Sequence, residues 1–111
     1  PVVDAVNRVS NLAAKAASAE TDPARFTEAS ERELYDAWTR FRPNYRAALE
    51  RGDEAQALAE LYALQAPITR FFDQVMVMAE DAAIRTNRLA LLAGLSADFR
   101  VFADFQKLVW A

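Results

Sequence analysis

The sequence predicts an all-α fold, a single-domain helical bundle of about five helices over residues 1–111. Three observations carry this expectation. Only two glycines and four prolines occur in 111 residues, so residues that break helices are scarce. Alanine, leucine, glutamate and arginine, all strong helix formers, dominate the remainder. Apolar residues recur at spacings of three and four along most of the chain, the period of a helix with one buried face. The length suits one domain around one core. A chain that is 53% hydrophobic and 26% charged buries enough to fold rather than stay disordered.

The first helix is expected over about residues 2–18. Val2, Val6, Val9, Ala13 and Ala16 form its apolar stripe, and Asp4, Asn7, Arg8, Asn11, Lys15 and Ser18 lie opposite. A loop follows from Ser18 to Thr27, marked by the Asp22-Pro23 step. The second helix begins near Ser30, which has capping-box spacing to Glu33, with Thr27 as the alternative cap. Its stripe runs through Leu34, Trp38, Phe41, Tyr45, Ala48 and Leu49 and stays in phase across Pro43, which predicts a kink or short break there. Gly52 ends it as a C′ glycine, and Asp53 caps the third helix, expected over about 54–65. Pro67 opens the fourth helix, with Ile68, Phe71, Phe72, Val75, Met76 and Ala79 as its stripe. Val77 and Met78 add apolar side chains on its other faces, so this helix is expected to be the central one. The fifth starts near Asp81 and runs to about 103. Ile84, Arg88, Leu91, Leu92, Leu95, Phe99 and Phe102 share one arc, with Gly94 off that arc as a point of close helix approach.

Composition excludes several function classes. With no cysteine there is no disulfide or thiolate metal site, which fits a reducing compartment, and with no histidine there is no zinc site, Ser-His-Asp triad or histidine acid–base. No Gly-rich phosphate loop is present, and the carboxylates read as solvated faces, so no catalytic and no metal residue is assigned. No apolar run approaches the roughly 20 residues of a spanning helix, so no membrane is expected. The start at Pro1 without a Met suggests a piece of a longer protein.

Net charge is −3, unlike the basic balance common in proteins that bind nucleic acid. Residues 1–19 carry one excess positive charge, from Arg8 and Lys15 against Asp4, whereas residues 20–60 hold ten acids against six bases. A polyanion site is therefore expected to avoid the middle of the chain. Arg8, Asn11 and Lys15 are spaced by three and four and share a helix face, which makes them the first candidates for RNA contact through phosphates and base edges. Most of the aromatic residues fall at core positions, with Phe105 and Trp110 as the exceptions that could stack on bases. Arg88 lies inside an apolar arc, so it needs a buried carboxylate. Asp73 sits about as far from the expected turn near Glu80-Asp81, which predicts an Asp73–Arg88 ion pair between antiparallel helices.

The segment Phe71 to Leu92, FFDQVMVMAEDAAIRTNRLALL, resembles the C-terminal block of bacterial glycyl-tRNA synthetase β subunits, with its F-F-D-x-V-M-V-M and R-x-N-R-L-x-L-L runs. Asn7-Arg8-Val9-Ser10-Asn11, Leu34-Tyr35, Gly52-Asp53 with Ala57-Leu58, Ala103-Asp104-Phe105 and Lys107-Leu108 resemble further segments of that family. The resemblance implies a DALR-type anticodon-binding bundle that binds tRNA(Gly) without catalysis of its own. It implies a cytoplasmic parent enzyme that uses ATP and Mg²⁺, with aminoacylation on a separate α subunit in an assembly of two α and two β chains. Arg85 and Asn87 match the R-x-N-R run, so an RNA role is open to them. The other reading is that Arg85 pairs with Asp81 and Asn87 makes a local or inter-helix hydrogen bond. A different class stays open for the whole chain, a helical scaffold that joins other domains or subunits without touching RNA.

Overall fold

The computed structural model describes the backbone of residues 2–110 and the side chains of residues 4–103. Among the described residues there are five α-helices: α1 (Val2–Ala13), α2 (Ala29–Glu50), α3 (Glu54–Ala63), α4 (Gln65–Gln74) and α5 (Ala82–Trp110), with a 3-10 turn at Pro23–Arg25. No strand occurs among the described residues. α1 packs along α5, and α2 packs on α3, α4 and α5.

Local signals set most boundaries. α2 is a single continuous helix that accommodates Pro43 without a break. It ends as expected at Gly52, whose φ of 73° is open to glycine without strain. The Gly52 N–H donates to Leu49 O (3.0 Å) and the Asp53 N–H to Ala48 O (2.8 Å), the paired bonds of a Schellman cap. Asp53 then caps α3 by accepting from the Gln56 N–H (3.0 Å). Asp81 does the same for α5, accepting from Ala83 and Ile84 N–H (2.9 and 3.1 Å). Pro67 falls in the first turn of α4, two residues inside its start, where a missing N–H has no helical partner to lose.

Four expectations are corrected. α1 stops at Ala13, because only small alanines follow Leu12 on its apolar side and helices in proteins are held chiefly by packing. The start of α2 is at Ala29, and the back-reaching carboxylate of the box is Glu31, which accepts from the Glu28 N–H (3.3 Å), rather than Glu33. α4 ends at Gln74. From there Val75 and Val77 point inward while Met76 and Met78 are 72% and 46% exposed, an alternation of period two that marks extended chain. The central helix is therefore α5 and not α4. From Asn87 to Phe99 every residue except Ala93 and Ala97 is buried. Its polar members, Asn87, Arg88, Ser96 and Asp98, had disguised it as a one-sided helix.

Gly94 has the role foreseen for it. A Cβ there would lie 2.6 and 2.8 Å from carbons of the Trp38 indole, so α5 admits the ring only because position 94 has no side chain. Leu34, Tyr45, Leu64, Ile68, Phe71, Leu91, Leu92 and Leu95 form the fully covered centre.

Candidate nucleic-acid interface

The face of α1 presents Arg8 and Asn11 to solvent. The Arg8 guanidinium lies over the Phe72 ring, 4.2 Å from its centroid, so α4 fixes the side chain from below. Around it Asp4, Gln65, Thr69 and Asp73 line a cleft of about 180 Å³ between α1 and α4. Lys15 is exposed but lies in the turn after α1, with its N–H on Leu12 O (3.0 Å). Helical spacing therefore joins Arg8 to Asn11 but not to Lys15. The side chains of Phe105 and Trp110 lie outside the described residues.

The R-x-N-R run is a clamp on two irregular segments. The buried Asn87 amide accepts from the Asp22 N–H (2.7 Å) and donates to Asp22 O (3.0 Å), pinning the α1–α2 loop. The Asn87 amide thus makes the hydrogen bonds expected of it in the reading that gives it no RNA role. Arg85 donates to Ala79 O (2.9 Å) instead of pairing with Asp81. Arg88 is buried with a carboxylate, but the carboxylate is Glu31 of α2, not Asp73. Its Nη2 and Nε lie 2.9 and 3.2 Å from Glu31 Oε1, with further bonds from Nη1 to Met76 O (2.7 Å) and Nη2 to Thr27 Oγ1 (3.1 Å). Asp73 is exposed beside Arg8. The expected register failed because α4 stops before the chain reaches α5, so residues 73 and 88 are not levelled by a helical hairpin.

A second charged site joins α2 to α5. The Asp98 side chain is only 4% exposed. It accepts from the Trp38 indole N–H (2.7 Å) and lies 3.2 Å from both Arg42 Nε and Arg46 Nη2. Arg42 also lies over the Trp38 ring, 4.9 Å from its centroid. One turn deeper, the Tyr45 hydroxyl donates to Asp98 O (2.6 Å). Burial, and more weakly the Asp98 charge, hold the Tyr45 phenol well above its ordinary range, against a smaller lowering by the Phe102 backbone.

A family model described as the DALR anticodon binding domain matches residues 2–101. The chain belongs to that family. It is 42% identical over 108 residues to the glycine–tRNA ligase β subunit of Geobacter metallireducens, covering 97% of this chain and 16% of that protein. The corresponding subunit of Thiobacillus denitrificans is 46% identical over 104 residues (91% and 15%), and that of Syntrophus aciditrophicus 41% over 109 (98% and 16%). The chain thus spans about a sixth of the length of the curated relatives it matches. No solved structure is matched.

All the charged sites described above fall inside the family match. Sequence reasoning missed Arg42, Arg46 and Asp98. The signal was present: residues 37–49 hold Arg40, Arg42 and Arg46 with no acid. Averaging charge over residues 20–60 concealed it.

Proposed function

We propose that this domain recognises the anticodon region of tRNA(Gly) as part of the β subunit of glycyl-tRNA synthetase. The observation that carries the reading is the match to the anticodon-binding family over residues 2–101. Identity of 41–46% to glycine–tRNA ligase β subunits across nearly the whole chain supports the choice of tRNA. In this reading the domain positions the tRNA, and a separate α subunit joins glycine to its acceptor end in an assembly of two α and two β chains in the cytoplasm. Among the described residues no three potential ligands gather to hold a cation, and no helix is long and apolar enough to cross a membrane. In this reading ATP and Mg²⁺ serve the parent enzyme's chemistry.

Arg8, Asn11 and Lys15 are the proposed contacts of α1 and its closing turn. Arg8 is held on Phe72 and offers its guanidinium to a phosphate, while Asn11 is free to read an edge of a splayed anticodon base. The test is titration of the full-length protein with tRNA(Gly) and with an anticodon-swapped tRNA(Gly). Weaker binding of the swapped tRNA is expected, and equal affinity overturns the reading. Charge reversal by Arg8→Glu and Lys15→Glu should flatten the salt dependence by about two units in log–log slope, one for each phosphate that is no longer neutralised.

A further inference from the structure

The Asp98 cluster has a geometry that core packing alone does not require. A buried carboxylate needs one cation nearby, yet Asp98 has two guanidiniums and an indole N–H around it. The side chains of Arg42 and Arg46 are 38% and 53% exposed, so both extend past the carboxylate into solvent. Thr39, Arg42, Pro43 and Arg46 fall on one face of α2 at spacings of three and four, and they line an open groove of about 350 Å³. Each arginine turns one nitrogen inward, Nε for Arg42 and Nη2 for Arg46. Among the described residues no second carboxylate pairs with either arginine, and one net positive charge remains after Asp98 is counted.

We propose that Arg42 and Arg46 form a phosphate clamp for the RNA backbone, held in place by Asp98. The proposal rests on the tRNA-binding reading and adds a second contact surface to it, on α2 rather than α1. The argument is pre-organisation. A free arginine loses rotamer freedom when it binds, but here Asp98 anchors both side chains, and stacking on Trp38 steadies Arg42 further, before any ligand arrives. Trp38 is in turn seated by the absence of a side chain at Gly94. A guanidinium fork matches two oxygens of one phosphodiester and stays charged at every relevant pH. Within residues 37–49 no carboxylate competes with such a ligand from the same stretch of helix. The clamp contacts phosphate and no base, so it contributes affinity and register without sequence preference.

The experiment uses the full-length β chain with its α partner. Dissociation constants for tRNA(Gly) and the anticodon-swapped tRNA are measured over a salt series for wild type, R46Q, R42Q/R46Q and R42K/R46K, with melting temperatures recorded for each. In R42Q/R46Q the log–log salt slope should fall by about one to two units, with affinity for both tRNAs reduced by the same factor. R42K/R46K should keep most of the slope, because lysine retains the charge. R46Q keeps the test meaningful should the double variant unfold, since that side chain is more than half exposed, and it should lose about one unit. An unchanged slope in R46Q and the double variant overturns the clamp. So does unchanged tRNA binding with weakened association of α and β in sedimentation, which would make this a protein contact. Wild-type protein indifferent to the anticodon swap would remove the anticodon reading while leaving the loss of slope in R42Q/R46Q as support for the clamp.

Discussion

Arg88→Met tests the centre of the fold most directly. Glu31 Oε1 accepts from five donors: Thr27 N–H (3.4 Å), Thr27 Oγ1 (3.3 Å), Glu28 N–H (3.3 Å), Arg88 Nε (3.2 Å) and Arg88 Nη2 (2.9 Å). The two shortest come from Arg88, as does the only positive charge among them. Both side chains are buried, at 1% and 7% exposure, so the methionine variant leaves a carboxylate with little solvent and no counter-ion. Breaking such a pair from one side costs about 3–5 kcal/mol. Met76 O loses its 2.7 Å donor as well, about 1 kcal/mol more. A loss of roughly 4–6 kcal/mol is a large part of the ~5–15 kcal/mol that holds a domain of this kind together. With a urea m-value near 1.5 kcal/mol/M, the unfolding midpoint should fall by about 3–4 M, and a marginal domain would not fold at all. The paired variant E31Q/R88M should recover part of the loss, with a coupling of about 2–3 kcal/mol in the double-mutant cycle. A midpoint for Arg88→Met within about 0.5 M of wild type, or strictly additive single and double variants, would refute the argument.

Gly94→Ala should destabilise the domain by about 1–3 kcal/mol, because a Cβ 2.6 Å from the Trp38 ring forces the indole away from its bond to Asp98; an unchanged melting temperature would contradict this. Asn87→Ala should lower the melting temperature by releasing the Asp22 loop, yet leave the salt slope of tRNA binding untouched; the reverse pattern would place Asn87 on the RNA face. Tyr45 is held protonated in the folded state, so its share of stability is present below the ordinary phenol value of about 10 and is lost as pH rises from there towards the raised folded value. Urea midpoints between about pH 9 and 11.5 should therefore fall more steeply for wild type than for Tyr45→Phe, and parallel profiles would show the burial argument to be wrong.

What was legible in the sequence was whatever a few adjacent residues decide. Gly52 with Asp53, the cap at Asp81 and the stripe from Leu34 to Leu49 each specify local geometry, and each is found where expected. The need of Arg88 for a carboxylate was legible too, because a guanidinium among leucines has few options. Its partner was not, since Glu31 looks like any acid in a first helical turn, and only the packing of α2 against α5 buries it. The end of α4 was misread because Val75-Met76-Val77-Met78 is apolar at every position, so helical and extended readings both fit until burial separates the valines from the methionines. At the candidate interface, Arg8 and Asn11 were found from spacing. Arg42 and Arg46 were hidden by an average over residues 20–60, and Asp98, 52 positions from Arg46, had no local mark at all.

The polar ties that converge on α5 have a consequence for the order in which the domain can form. Asp22 and Asn87 are 65 residues apart, Trp38 and Asp98 are 60, and Glu31 and Arg88 are 57. Helical bundles usually fold fast because their contacts are local, whereas these contacts close most of the chain into loops. α5 is also the last of the five helices to leave the ribosome. Until it emerges, α1 lacks the helix it packs along, Glu31 lacks its counter-ion, and Trp38 has no glycine to sit against. The buried polar ties of the first two helices and of the loop between them are therefore completed only once α5 is present.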